Sequence, residues 1–471
     1  MKNINITTQN KAFEEISEKL EDIIKTNMVW DNEISLNGAA GTGKTYLTTK
    51  LVKKLKSSYH ITITAPTHKA LQVLRDNLLA DDIYRVDTKT LQSFLNLKLE
   101  TNFDNGEQKF VPQNLNVKDK DTTDTDILIV DESSMVSKSL YTYIIQAIEQ
   151  GRIKAVLFVG DEYQLLPIDD NDNRIFSIKN KYKLEKIVRQ AKGSYIINMA
   201  TKARNIIKSK QYISLQDFFD DDSFKSNIHF FGDEKEFHND FCTPENWSKK
   251  DKVIASFTNK SVDNHNRIIR KKFWKAQEKK DIPTLLKGDK IIFQQANIID
   301  GKIVHQNSDI VTLSSAIKLY DKTLQTDYWD CKDLQNKPIK IIDPTSQARF
   351  KIVLQKLAKS AKDEKNYKKR TELWKLFYTI KETFIDVKYT YASTMHKLQG
   401  STYETVYIDL RDVENMKDKD MMYRLLYVAI TRASKNVKVL LSSNMDSSLA
   451  TIQERNIEYI GSMFDKLELD I

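Results

Sequence analysis

Glu33-Ile34-Ser35-Leu36-Asn37-Gly38-Ala39-Ala40-Gly41-Thr42-Gly43-Lys44-Thr45 is the stretch on which the fold turns. Glu33 to Leu36 is a short apolar run that predicts a strand, and the residues after Thr45 carry helical periodicity. Between them, Gly38 to Thr45 fit G-x-x-x-x-G-K-[ST], a loop built to hold phosphate when strand precedes it and helix follows. Glycines let the backbone wrap the phosphates, and amides at the helix start donate to them. Lys44 then reaches the β and γ oxygens, and the Thr45 hydroxyl is a candidate ligand for Mg²⁺.

Outward from this loop the rhythm repeats. A helix is predicted from Asn10 to Thr26, with Phe13, Ile16, Leu20 and Ile23 on one face, and apolar runs recur at Ile61 to Ala65, Ile127 to Val130 and Ala155 to Val159. Strands alternating with helices predict a parallel sheet covered on both faces, with ligands at the carboxyl ends of its strands. Two of those ends carry chemistry. Ile127 to Val130 runs into Asp131-Glu132, suited to holding magnesium through Asp131 and to orienting an attacking water through Glu132. The next strand runs into Gly160-Asp161-Glu162-Tyr163-Gln164, which places the Gln164 amide where it can sense a γ-phosphate. Arg189 and Arg432 lie outside this sheet's core and are candidate arginine fingers, a device worth roughly 10³–10⁵ in rate.

A second parallel-sheet signature begins at Val253 to Phe257 and resumes at Thr405 to Asp409 and Val437 to Leu441. Two stretches interrupt the alternation. Residues 91–125 carry the turn signal Asp104-Asn105-Gly106 and predict an inserted hairpin. Residues 287–388 read first as short strands (Lys290 to Phe293, Lys302 to Val304, Ile310 to Leu313, Ile339 to Ile342) and then as a Lys- and Glu-laced helical stretch from Ala348 to Thr383. The predicted fold is therefore α/β: a first lobe over 1–90 and 126–190 with the hairpin inserted in it, and a second lobe over 191–286 and 389–471 with a mostly β domain inserted in that.

Composition agrees with a folded chain of several domains. It has 471 residues, 40% hydrophobic and 30% charged, with 20 Phe and 20 Tyr, which excludes disordered and fibrous classes. No apolar run approaches the roughly 18 residues needed to span a bilayer, so a cytoplasmic protein without membrane partners is expected. Cys242 and Cys331 stand apart with no metal-ligand spacing and read as ordinary thiols. The net charge of +9 permits a polyanionic partner without requiring one.

Taken in order, the signals resemble the motif series of superfamily 1 helicases. They are Gln9, the phosphate loop, Ala65-Pro66-Thr67-His68-Lys69-Ala70, Asp131-Glu132, Gly160-Asp161 with Gln164, Arg189, Thr394-Met395-His396-Lys397-Leu398-Gln399-Gly400-Ser401 and Tyr427 to Arg432. Phe257 to Asp263 and the overall size resemble the Dda-like members of the RecD-like branch, superfamily 1B, which moves 5′ to 3′. The resemblance spans about Gln9 to Lys438. It implies two RecA-like lobes, ATP and Mg²⁺ as cofactors, and single-stranded and forked duplex DNA as partners. It also implies an insertion of SH3-like β type in the second lobe, and a monomer in a bacterial or phage-infected cytoplasm. Single-strand-binding and replication proteins are candidate partners by the same resemblance.

Position by position, the resemblance gives Gln9 the adenine, and Gly38, Ala39, Ala40, Gly41, Thr42, Gly43, Lys44 and Thr45 the phosphates and metal. Asp131 and Glu132 take the metal and the water, while Gln164, Arg189 and Arg432 take the γ-phosphate. Pro66, Thr67, His68, Thr90, Asn259, Thr394, His396 and Lys397 would touch DNA, and Gln399 and Gly400 would link that contact to the nucleotide. Gln92 stands where His is common in the family. The inserted hairpin would be a strand-splitting pin with Phe103 and Phe110 as candidate wedges. Set against an unwinding enzyme is an ATPase that translocates and strips protein from DNA without unwinding, since the same motifs serve both. A small-molecule kinase would leave the second lobe's motifs unexplained.

Overall fold

The computed structural model describes residues 5–6, 9–26, 31–102, 108–112, 124–167, 174–185, 194–243, 251–278, 281–299, 302–414, 416–442 and 445, without the side chains of 5–6, 68–69, 98–101 and 108–109. The chain divides into two compact units: Met1–Leu95, Leu115–Val262 and Ser393–Ile471 form one, and Asn96–Asn114 with Asp263–Ala392 the other.

The first unit holds two sheets. One has seven strands in the order Asn5–Ile6, Asn180–Leu184, Glu33–Gly38, Ile153–Gly160, Thr125–Val130, Ile61–Ala65 and Asp87–Thr90, all neighbours parallel. Its four central strands are buried almost throughout, as a sheet covered on both faces requires, and Ile34, Leu36, Ile63, Ile129 and Leu157 form its centre. The predicted helix after the phosphate loop is Lys44–Leu55, and its apolar residues Leu47, Leu51 and Val52 pack on that centre.

The other sheet runs His229–Phe231, Ala433–Leu440, Tyr403–Asp409, Lys252–Ser256 and Ala392–Thr394, with the first three pairings parallel. Its core is the larger of the two and contains helix Lys419–Thr431, whose residues from Leu425 to Ile430 are all buried. Tyr163 and Leu165, which follow the first sheet's strand Ile153–Gly160, are part of this second core. The two lobes therefore share apolar packing at the point where the first sheet's strands end.

The second unit contains a five-stranded antiparallel sheet in the order Pro338–Ile342, Thr326–Asp333, Ile310–Asp321, Lys290–Phe293 and Val387–Tyr389. The strand expected at Ile310 to Leu313 continues to Asp321 and forms a long hairpin with Thr326–Asp333, which periodicity did not reveal. This unit begins at Asp263, ahead of the expected Lys287. The reason is chemical: Arg270 and Trp274 of helix Asn259–Ala276 both bond the buried Asp289 carboxylate, at 2.7–2.9 Å, and tie that helix to the sheet. The stretch read as one helix is two, Gln347–Asp363 and Tyr367–Thr383, because Asn366 accepts from the Lys369 amide and caps the second. Leu97–Thr101 and Gln108–Pro112 pair as the expected hairpin. Phe110 is exposed on it, and Phe103 lies outside the described residues.

No helix among the described residues is long and apolar enough to cross a membrane.

Candidate active site

A cleft of about 480 Å³ opens at the carboxyl end of the first sheet and takes its walls from both lobes. The first lobe contributes Ala40, Gly41, Gly43, Lys44, Thr45, Asp131, Glu132 and Gln164, and the second contributes Gly400, Thr402, Thr431 and Arg432.

The loop's shape follows from its glycines. Gly41 and Gly43 sit at φ +80° and +85°, where any side chain would be strained. At Gly38 a Cβ would meet Thr42 Oγ1 at 2.6 Å. Thr42 closes the turn by donating to the Ala39 carbonyl at 2.9 Å, and Gln9 braces it from outside, its side-chain amide donating to the Thr42 carbonyl at 2.7 Å. Lys44 Nζ reaches back over the loop to the carbonyls of Gly38 (2.6 Å) and Ala39 (3.2 Å), and so points along the line a polyphosphate would occupy.

Across the cleft, Asp131 ends the strand Thr125–Val130, and Glu132 adopts the left-handed backbone at φ 48°, a costly conformation for a non-glycine residue. The turn sets two carboxylates side by side. Lost solvation first, then the charge of Glu132, pushes the Asp131 carboxyl up to about 7, against the pull of Lys44. Such a pair is stabilised by a cation, and Thr45 lines the same space, so Asp131 and Thr45 fit the expected Mg²⁺.

The seam is closed in large part by Tyr427 and Arg424, to which sequence reading gave no task of their own. Tyr427, in the buried helix of the second lobe, donates to Asp161 Oδ2 at 2.6 Å and accepts from the Ala40 amide at 3.3 Å. Burial, and then the Asp161 carboxylate, holds its phenol well above the usual range, so it stays a donor. Arg424, one helical turn earlier, donates to the carbonyls of Glu162 (2.7 Å) and Gln164 (2.8 Å) while Asp420 anchors its Nε at 2.6 Å. This fixes the backbone that presents Gln164. The Gln164 side chain itself is buried and accepts from the Gln399 amide at 3.5 Å. Apart from the Asp420–Arg424 pair, these contacts join residues more than 230 positions apart, and no local pattern could have signalled them.

Arg432 lines the cleft and is buried, its guanidinium donating to the carbonyls of Val428 (3.2 Å) and Ser401 (3.1 Å) and to Thr431 Oγ1 (3.1 Å). Gly400, at φ +72°, brings the second lobe within 3.4 Å of Ala70, measured from the Cβ it lacks. Arg189 lies outside the described residues.

The chain is similar to known proteins over most of its length. Residues 20–170 match the model of an AAA domain, and residues 389–440 that of a UvrD-like helicase C-terminal domain. The ATP-dependent DNA helicase dda of Enterobacteria phage T4 is 28% identical over 447 residues, which is 86% of this chain and 94% of that protein. Over most of its length this chain is similar to the superfamily 1B helicases. An uncharacterised protein of Acanthamoeba polyphaga mimivirus is 24% identical across 92% of this chain and 98% of its own. A crystallised Pif1 helicase from Bacteroides shares 15% identity at a TM-score of 0.48, covering 94% of this chain and 97% of that one.

The residues expected to touch DNA share a local design. Thr67, Thr90 and Thr394 each cap a helix or helical turn at the end of a strand, accepting from the amides of Ala70 (3.2 Å), Ser93 (3.3 Å) and Lys397 (3.4 Å). A threonine hydroxyl used as an acceptor keeps its own proton for an anion. Pro66 precedes the first cap and holds the chain extended into it. Thr258, which lies in the segment Phe257 to Asp263 but was given no role of its own, plays the same part before Asn259, but donates to Asp412 at 2.5 Å. His396 lies beside Phe257 with ring centroids 6.2 Å apart, and burial lowers its pKa, so at neutral pH it offers a hydrogen bond rather than a charge. Lys397 and Asn259 are exposed. The side chain of His68 lies outside the described residues.

Proposed function

We propose that this protein is an ATP-driven DNA helicase that translocates 5′ to 3′ on single-stranded DNA and unwinds duplex by opening and closing its two lobes. The observation that carries this reading is the shared cleft: the phosphate loop and the acidic pair belong to one lobe, while Arg432 and Gly400 belong to the other. A nucleotide held there has contacts on both sides, so its binding favours closure, and hydrolysis removes that preference.

Lys44 and the loop amides bind the β and γ phosphates, Glu132 orients the attacking water, and Gln164 and Arg432 face the terminal phosphate from opposite lobes. Arg189 completes the set by family resemblance. Thr45 and Asp131 would hold Mg²⁺, which when bound would neutralise charge on the phosphates and the leaving group. On the DNA side, the capping threonines of both lobes grip phosphates, and Gln399 joins that grip to Gln164. Polarity is supported by the resemblance to superfamily 1B helicases. Phe110 is the described candidate for a wedge on the hairpin, and its exposure suits stacking.

The test is strand displacement with ATP on duplexes carrying a 5′ or a 3′ single-stranded tail. The 5′-tailed substrate is expected to be unwound and the 3′-tailed one left intact. Unwinding of the 3′-tailed substrate alone would reverse the polarity, and ATP hydrolysis with neither duplex opened would favour the protein-stripping translocase.

A further inference from the structure

The chain's charge is not spread evenly. Residues 347–383 carry nine Lys and two Arg against one Asp and three Glu, a net +7 out of +9 for all 471 residues. They form the two helices Gln347–Asp363 and Tyr367–Thr383, which pack side by side. Phe350 of the first helix lies in one apolar cluster with Phe384, Ile342 and Leu324 and seats the pair on the antiparallel sheet.

Within the pair, Lys356, Lys359, Lys362, Lys365, Lys368 and Lys369 gather toward the turn, and all six are exposed. Spacings that would let Asp363 pair with Lys359, or Glu364 with Lys368, are present, yet among the described residues no carboxylate comes within ion-pair distance of any of the six. A rigid scaffold thus holds like charges together without neutralising them, which costs stability in the free protein and favours a polyanion.

We propose that this helical hairpin is a docking surface for the phosphate backbone of double-stranded DNA. The choice of duplex over single strand follows from the side chains. Single-strand sites interleave positive charge with open aromatic faces. Here Phe350 and Trp374 are buried, Phe377 and Tyr378 are half-buried with the Lys381 ammonium over both rings, and the exposed Tyr367 ring has the Arg370 guanidinium carbon 5.6 Å from its centroid. The charge that the turn end of the pair presents is six compact ammonium groups, suited to phosphates. No base-reading group is needed, so the binding is independent of sequence.

The proposal rests on the helicase reading, and its test separates the two. In the full chain, Lys356, Lys359, Lys362, Lys365, Lys368 and Lys369 are replaced together by Gln, and in a second variant by Arg. Equilibrium binding to a 5′-tailed fork and to a single-stranded oligonucleotide is measured across salt concentrations, with DNA-stimulated ATPase alongside. For every phosphate that the protein no longer neutralises, the log–log salt slope becomes shallower by about 0.9. The Gln variant is expected to lose about 3 in slope on the fork and at least tenfold in affinity, with single-strand binding and ATPase unchanged and the Arg variant close to wild type. An unchanged fork slope, or an equal loss on the single strand, would overturn the proposal. Absence of DNA-stimulated ATPase in the wild type would instead count against the helicase reading.

Discussion

Asp131 and Glu132 show how a single pair of side chains trades stability for chemistry. The Asp131 carboxyl is raised in the folded protein to about 7 from an ordinary value of 3.8. Its folded form therefore keeps a proton that the unfolded chain has already released, so the favourable contribution is full below about pH 4 and is lost as pH rises through 7. In metal-free protein, Asp131→Asn is expected to raise Tm by about 1–2 °C at pH 8 for each kcal/mol of strain relieved, and by less at pH 5. Hydrolysis should fall at least about a hundredfold in the same variant. Differential scanning fluorimetry at the two pH values measures the first effect, and a Tm gain no larger at pH 8 than at pH 5 would remove the account of the pair. Tyr427 makes the complementary case: its hydroxyl bonds both Asp161 and the Ala40 amide. Tyr427→Phe leaves a buried carboxylate short of a donor, at a cost of about 1.5–3 kcal/mol. As a positioning residue it should show mainly in kcat, reduced about tenfold, with KM for ATP changed less than about threefold. An equal change in both would mean that it only supports folding. The phosphate loop and the acidic pair were readable from sequence because each is a local pattern at a strand end. Tyr427 could be placed in a motif but not given its task, since its partners lie 266 and 387 positions away.

At the scale of elements, the recurring device is a strand that ends on a threonine and hands over to a helix. Thr67, Thr90 and Thr394 bind an amide with the hydroxyl oxygen and leave the proton for an anion, so the cap and the expected DNA contact are one structure. The turn after Thr394 then carries Gly400, at φ +72°, up to Ala70. Gly400→Ala would add backbone strain of about 1–2 kcal/mol and a methyl group 3.4 Å from Ala70. The expected result is a DNA-stimulated ATPase reduced several-fold with DNA affinity in the absence of nucleotide unchanged; loss of DNA affinity instead would place the glycine in the grip rather than the seam. Element boundaries were less readable than element types. The split at Asn366 is made by a side-chain cap inside a continuously polar stretch, and the long strand Ile310–Asp321 escaped notice because its exposed Ile317, Leu319 and Tyr320 blur the alternation that periodicity relies on.

Across the whole molecule, two parallel sheets far apart in sequence make one site. The order of strands and motifs made this readable in outline, because each lobe announces itself by apolar runs ending in chemistry. How the lobes meet depends on Arg424, Tyr427 and the shared packing of Tyr163 and Leu165, which only the folded chain reveals. The measurement that bears most directly on the shared site is single-turnover ATP hydrolysis, with a single-stranded oligonucleotide present, by Arg432→Ala and Arg432→Lys, each checked for native circular dichroism. A second-lobe arginine that stabilises charge in the transition state predicts a rate reduced about 10³-fold in both, with ATP affinity within about threefold of wild type. A turnover rate equal to wild type in the folded variants would contradict it, and would leave hydrolysis to the first lobe alone.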